Sequence, residues 1–492
     1  MVQEQKIMSP EKMASLPEIE NAVGSVNVQN IKNITSEISN LSLGTNNDPT
    51  VSLKIDAATE TDVSIKLTDL PKKCMEKVLR KLDFVDLVHV ADTNKSLKEH
   101  AAAIFKTKYF STIPCPTASK IENWSDELFL YAINVFGTKI SKITIEFKVS
   151  NQEHNAIMLK TVMEKCGSHL RHLNISQIPS GLALDQTFAN VRTLVFSNIH
   201  NDVHKSWSSL NKHFPNLQTL ELLEANGIIK NAQFKAHIPK LERIVCSIQP
   251  SASCIIEAKK LAKFLNKNSH ITDLHLKEIG NNESNMEFVK LIDWDELKVT
   301  KLTIDGSKVK LGKSVRFKYL HSMTTNNFDE LDYRYMKRTV KELHYTIDQL
   351  EYNSFSFILQ FLCLRIFRLT LTASKLKYSD MEMFANNLAL LSDISVLVTT
   401  CKEDAHGVDG PQAMQKFIGN TLTANLCRRL ETIKFEYPLA FLKSDIPELK
   451  LHVDMYRRIR NISGWKFRYY MREQSFEQKG YHHTLGVIFT RP

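Results

Sequence analysis

Apolar residues follow one period near the start of this chain and a different one over most of its length. From Pro71 the positions Cys74, Met75, Val78, Leu79 and Leu82 fall at i, i+1, i+4, i+5 and i+8, one stripe of a 3.6-residue period. The stripe predicts a helix. Pro71 suits its first turn, where a missing N–H costs nothing, with Thr68 or Asp69 in the cap region before it. Asp83 and Asp86 bracket Phe84 and Val85 ahead of a second stripe, Leu87, Val90 and Ala91, and a third runs from Leu97 through Ile104 to Phe105. Three short helices in about 40 residues enclose little core. The stretch has more apolar positions than such helices bury against each other, which predicts that a partner completes one face.

From Ile140 onward the pattern becomes apolar, two residues, apolar, one residue, apolar. It occurs at Ile140-Ile143-Ile145, Leu170-Leu173-Ile175, Val191-Leu194-Phe196, Leu217-Leu220-Leu222, Leu241-Ile244-Cys246 and Ile271-Leu274-Leu276. It continues at Val299-Leu302-Ile304, Val340-Leu343-Tyr345, Ile366-Leu369-Leu371, Leu391-Ile394-Val396 and Leu430-Ile433-Phe435. Eight of the ten intervals between starts lie between 21 and 30 residues, the length of a repeat with one strand and one helix. The 41-residue interval predicts a further repeat beginning near Phe317 or Phe328, and the 39-residue interval holds the loop CKEDAHGVDGPQ. Helical stripes precede several strands: Met158, Leu159, Val162, Met163 and Cys166; Trp207, Leu210 and Phe214; Leu261, Phe264 and Leu265; Met381, Phe384 and Leu388; Met414, Phe417, Ile418 and Leu422. Strand and helix in alternation predict a horseshoe. Its three apolar residues point into the core, and the third, fifth and seventh positions line the concave sheet.

Leu70-Pro71, Val78-Leu79, Leu82, Asp86-Leu87 and Leu97 resemble the F-box motif, the three-helix segment by which substrate receptors of SCF ubiquitin ligases dock on their adaptor. Lys73, Cys74 and Leu97 depart from the residues common at those places. HFPNLQTLEL, CGSHLRHLNI and LCRRLETIKF resemble the leucine-rich repeats that follow F-boxes in one large class of receptors. The fold expected is α/β, a leucine-rich-repeat solenoid preceded by a three-helix F-box and a disordered N-terminal tail. The expected boundaries are 1–64 for the tail, 65–110 for the F-box, 111–139 for a linker or N-terminal cap, 140–440 for the repeats and 441–492 for a C-terminal cap.

The resemblance implies a non-catalytic receptor whose F-box docks on the adaptor and cullin scaffold while the repeats hold an unidentified protein substrate. Leu70, Pro71, Met75, Val78, Leu79, Phe84, Val85 and Leu87 are the residues expected at the adaptor. His172, Asn174, Glu221, Arg243, Asp273, His275, Lys301, Glu342, His344 and Arg368 are those expected to meet substrate on the concave face. The rival reading is a ligase-independent scaffold in which the helices only cap the solenoid.

Charge supports a tail and a protein partner. Residues 1–64 hold four Lys and nine acids and no Phe, Tyr, Trp or Cys, too little apolar surface to offset the entropy of ordering. The chain as a whole carries +10, so the excess lies beyond the tail. On the concave positions six basic residues (142, 243, 277, 301, 368, 434) meet seven acidic ones (146, 221, 273, 305, 342, 393, 436). A duplex-binding surface needs a sustained excess of cations, so this face suits protein and argues against nucleic acid. Basic and aromatic residues do concentrate in Tyr456–Arg472, but Trp465, Phe467 and Tyr469 alternate with Lys466, Arg468 and Tyr470, the period of a strand capping the last repeat. A nucleic-acid or other anionic partner there is the weaker alternative.

Chemical machinery and targeting signals are not evident. The eight cysteines are scattered, the closest pair eight residues apart, which excludes CxxC sites and fits reduced thiols in cytoplasm or nucleus. The most apolar run, Phe355–Phe367, has 13 residues, short of the roughly 18 a membrane span needs. The opening MVQEQKIMSPEKM lacks the layout of a secretory signal. In GSKVKLGKS five residues separate the glycines where a phosphate loop has four. His200 and His204 lack the Glu of a zinc protease, and His482-His483 lacks ligand partners. No catalytic residue, cofactor or metal is expected.

Overall fold

The computed structural model describes residues 70–113 except 94, 125–148, and 152–347 except 232, 233, 235, 306, 307, 312–314, 327–335 and 337, followed by 361–371, 395–401, 430–440, 465–475 and 481–491. The expected tail lies outside the described residues, as do the helical stripes around Met381 and Met414. The chain divides into two compact units, Met1–Lys139 and Ile140–Pro492.

In the first unit α1 (Lys72–Lys81), α2 (Phe84–Thr93) and α3 (Lys95–Lys108) form a small bundle, joined by α4 (Asp126–Phe136). Pro71 is the N-cap residue of α1, with extended backbone, rather than its first helical residue. Its carbonyl accepts the N–H groups of Cys74 and Met75 at 2.8 and 3.0 Å. At the other end Lys108 Nζ reaches from α3 to the carbonyls of Arg80 and Leu82 at 3.0 and 2.6 Å, satisfying acceptors that a helix C-terminus leaves unpaired. Asp83 caps α2 by accepting the Asp86 N–H at 2.8 Å. Phe84 sits between Phe105 and Tyr109. Phe136 of α4 stacks on Phe105 at 4.7 Å, and Tyr131 donates its hydroxyl to Asp92. The apolar excess that sequence assigned to a partner is thus covered in part by α4, within the chain itself.

The second unit begins with β1 (Lys142–Glu146), α5 (Gln152–Cys166), β2 (His172–Ser176), β3 (Thr193–Ser197), α6 (Leu210–His213), β4 (Thr219–Leu223) and α7 (Asn226–Ile229). It continues through β5 (Arg243–Ile248), α8 (Cys254–Lys267), β6 (Asp273–Ile279), α9 (Asn282–Leu291), β7 (Lys301–Ile304), β8 (Ser322–Thr325), β9 (Glu342–Ile347) and β10 (Ile366–Leu371). The last strands are β11 (Val396–Cys401), β12 (Thr432–Ala440), β13 (Lys466–Ser475) and β14 (Tyr481–Thr490). Strands β1 to β12 lie in chain order in one sheet, after which β14 inserts between β12 and β13. All pairings through β12 are parallel, and the last two are antiparallel.

One backbone device sets the register of every repeat. The carbonyl just before each strand accepts two consecutive N–H groups from the next repeat, from Ser141 to Arg171 and His172 through Ser395 to Glu431 and Thr432, at 2.8 to 3.1 Å. These bonds place repeat starts at 140, 170, 191, 217, 241, 271, 299, 320, 340, 364, 394 and 430. Three of those starts correct the sequence reading. The repeat hidden in the 41-residue interval begins at Leu320, and its third inward position is Thr325, a buried polar residue that the apolar pattern cannot detect. The ninth match shifts by two, because Phe367 and Leu369 fill the core while Ile366 turns to the other face. The tenth shifts by three, which buries Leu397, expected on the concave face, and leaves Ser395 just ahead of the strand.

Inward residues pack against the helices. Phe196, Phe147 and Trp207 form one aromatic group, Phe188 stacks on Phe214 and Phe234 on Phe264. Asparagines then bind the loops. Asn155, Asn226 and Asn285 are buried, and each bonds both the N–H and the carbonyl of a residue beyond a strand, Lys148, Gln249 and Lys310 respectively. They do for the loops what a regular asparagine position does in better-conserved repeats, from irregular places in the sequence.

Candidate docking surfaces

The F-box candidates separate by burial. Met75, Leu79, Phe84 and Leu87 are 0 to 4% exposed and form the core of the bundle. They hold the three helices together and present no surface, which corrects the expectation that all eight face the adaptor. Pro71 is exposed, and Leu70, Val78 and Val85 are half-buried. On α1 the exposed Cys74 lies one turn before Val78, so the two extend a strip from Leu70 and Pro71 along one side of the buried face. Apart from Glu76, the rest of α1 is basic: Lys72, Lys73, Lys77, Arg80 and Lys81 are all exposed. Spacing could have separated the two sets, since Met75 and Leu79 share the centre of the stripe while Cys74 and Val78 mark its edge.

In the solenoid all ten substrate-face candidates stand on the sheet face that, among the described residues, carries no helices. Pairing aligns five in one row across the strands, His172, Arg243, Asp273, Lys301 and Glu342, and five in the next, Asn174, Glu221, His275, His344 and Arg368. Arg368 aligns with His344 and not with Glu342, a consequence of the shifted repeat that begins at 364. Neighbouring strands bring several into contact. Asp273 lies 3.8 Å from Arg243 and 3.4 Å from Lys301. Arg368 Nε donates to Glu342 at 2.8 Å, and the His344 ring shares a hydrogen bond with the Thr370 hydroxyl at 2.8 Å. Exposed pairs of this kind contribute at most about 1 kcal/mol each. Their consequence here is electrical, because Arg243, Lys301 and Arg368 are each matched by a carboxylate on the face itself.

Two histidines of the face are held below the usual imidazole range. Burial is the larger cause for both; Lys142 adds to it at His172, and Lys277 and Arg243 at His275. Each therefore offers a neutral ring at neutral pH. Elsewhere burial raises the thiols of Cys166, to about 12, and Cys246, which removes both as nucleophiles. At Cys254 burial is opposed by bonds from the Ser284 hydroxyl and from the backbone of Asn281 and Ser251, and the thiol is lowered. Its side chain is 1% exposed, so it reaches no substrate. Among the described residues no three His, Cys, Asp or Glu side chains are grouped to hold a metal ion. No described helix is long and apolar enough to cross a membrane.

At the C-terminal end, Tyr470 of β13 lies over Gly486 of β14 and donates its hydroxyl to Glu436 of β12. The Lys434 ammonium bonds Glu436 at 3.0 Å and sits 5.5 Å from the centre of the Tyr470 ring. Gly486 makes room for the ring at the crossing, since a Cβ there would stand 2.1 Å from Tyr470 Cζ. Sequence had Trp465, Phe467 and Tyr469 in a strand directly capping the last repeat. The strand exists, but β14 is what extends the last repeat, with the Arg491 N–H donating to the Glu431 carbonyl, one bond where each earlier junction has two.

Residues 67–103 match the family model of the F-box domain, covering α1, α2 and most of α3. No curated protein matches the chain. A solved structure described as the crystal structure of a TLR13–ssRNA13 complex is similar over 55% of this chain and 44% of that one, at 11% identity and a TM-score of 0.33; less than half of that chain is spanned. Residues 67–103 thus form an F-box domain, which precedes a parallel-stranded solenoid of leucine-rich-repeat type. An F-box domain supports the general role of a substrate receptor in SCF ubiquitin ligases.

Proposed function

We propose that this chain is the substrate-recognition subunit of an SCF ubiquitin ligase, with Leu70, Pro71, Cys74, Val78 and Val85 meeting the adaptor. The observation that carries this reading is the side of α1 that keeps an apolar strip outside the bundle core, within the F-box match. The helix-free face of the solenoid then binds the protein substrate. Such a receptor supplies no reacting group; it raises the effective concentration of a substrate lysine near a ubiquitin-loaded conjugating enzyme. The charge-matched rows of the sheet suit recognition of a protein better than of a nucleic acid.

The scaffold reading has one observation in its favour. Phe136 and Tyr131 of α4 already occupy apolar and polar groups of the bundle, as a purely structural cap would require. Co-purification of the full chain with the SCF adaptor separates the two. Stoichiometric binding that is lost in Leu70→Asp and in Val78→Asp, both folded by circular dichroism, supports the receptor. A folded wild-type chain that retains no adaptor sinks it.

A further inference from the structure

The sheet ends in a long strand with an open edge. β13 pairs with β14 on one side, and among the described residues no strand lies on the other. Every second one of its ten residues thus turns its N–H and carbonyl to the open side, a row of backbone donors and acceptors on which another extended chain can add. The edge is cationic. Lys466 and Arg468 are exposed and have no ion-pair partner among the described residues, in contrast to Arg243, Lys301, Arg368 and Lys434. Register puts them in line with Thr432 and Lys434 through Thr490 and Ile488, so they belong to the face that carries the candidate substrate residues. Tyr470 of the same strand reaches across Gly486 to Glu436, which ties β13 to β12.

The charges select the occupant. A second copy of this chain is disfavoured, because in-register parallel pairing sets Lys466 against Lys466, and antiparallel pairing centred on Tyr469 sets Lys466 against Arg472. A chain with carboxylates at alternate positions meets both cations on one face, since strand side chains repeat every two residues. Nucleic acid would meet only the cations and make no use of the backbone edge. We propose that the free edge of β13 receives an extended acidic segment of the protein substrate as an added strand, with alternate carboxylates against Lys466 and Arg468. The proposal deepens the receptor reading and rests on it for the source of the segment.

The test is fluorescence anisotropy of a short labelled peptide alternating Glu and Val, titrated with the full-length protein. Binding is expected, weakened about tenfold or more in the Lys466→Glu, Arg468→Glu double variant and restored to that variant by a peptide carrying Lys in place of Glu. The milder Lys466→Gln, Arg468→Gln pair, with an unchanged melting curve, should show a smaller loss. A peptide N-methylated along one backbone edge should not bind. The proposal is overturned by absence of peptide binding, by affinity that ignores the charge reversal, by equal binding of the N-methylated peptide, or by polyuridylate displacing the peptide from the same cations. Adaptor co-purification from the same preparations reports on the receptor reading separately: its failure sinks that reading even where the peptide binds, and its success leaves that reading standing where the peptide does not.

Discussion

Two glycines show how the same contact differs in cost according to what lies opposite. A Cβ on Gly227 would stand 1.8 Å from the Asn201 carbonyl oxygen, while its N–H is held by the Ile199 carbonyl at 2.7 Å. Backbone cannot step aside, so Gly227→Ala should cost more than about 2 kcal/mol. Gly486→Ala meets only the Tyr470 ring, which can swing out at the loss of one hydrogen bond, about 1 kcal/mol. Urea midpoints of the two variants check the order, and equal shifts would refute this account. Asn285→Ala removes the Asn285 bonds to the Lys310 N–H and carbonyl and should destabilise by about 1 to 3 kcal/mol. Acid acts through His172 and His275, both lowered in the folded chain. A depressed histidine contributes stability that is full above its unfolded value near 6.5 and is lost as pH falls from there to the folded value. Solvent screening keeps each effect small, because both rings are half-exposed. His275→Gln should flatten the fall in melting temperature below pH 6.5, and an unchanged slope would show that the ring takes no part. None of the asparagine clamps was legible in sequence, since a polar residue on a helix is ordinarily solvated and only the fold shows what it reaches.

Among the elements, α1 divides its work between adjacent residues. Leu79 is fully buried and Val78 only half. Leu79→Ala should remove about 2 to 5 kcal/mol from the first unit. Val78→Asp should leave the unit folded and abolish adaptor co-purification. Hydrogen exchange on α1 to α3 in both variants tells the outcomes apart; if Val78→Asp also loses protection, the strip is core and not surface. Helical stripes revealed α1, α2 and α3, because a 3.6-residue period survives in any sequence that buries one face. Sequence left α4 inside a linker or cap, although Phe129, Ala132, Ile133 and Phe136 follow the same spacing. Their destination decides their meaning: they face the F-box helices. The strand pattern located most repeats for the corresponding reason, and it failed at Thr325, where a buried threonine fills an apolar position.

In the whole molecule, the repeats contact chiefly their neighbours, so stability approximates a sum along the solenoid and the ends matter most. β14 closes one end by burying Val487 and Phe489 and donating from Arg491 to the last repeat. Deleting residues 466–492 should therefore melt the C-terminal repeats first, seen as dye binding to exposed apolar surface and lost exchange protection that fades toward β1. Uniform loss along the sheet would argue for a single cooperative unit. Sequence by itself determined the class of each unit, because periods of 3.6 residues and of about 25 residues are properties of order along the chain. It also determined the identity of the inward residues in the regular repeats and the mixed charge of the opposite face. Only the tertiary structure decided register at the tenth and eleventh repeats, which of the F-box apolar residues are core, and where the sheet ends. Those depend on contacts between residues distant in sequence, where a carbonyl from the preceding repeat chooses the N–H groups it accepts and apolar spacing alone leaves several choices equal.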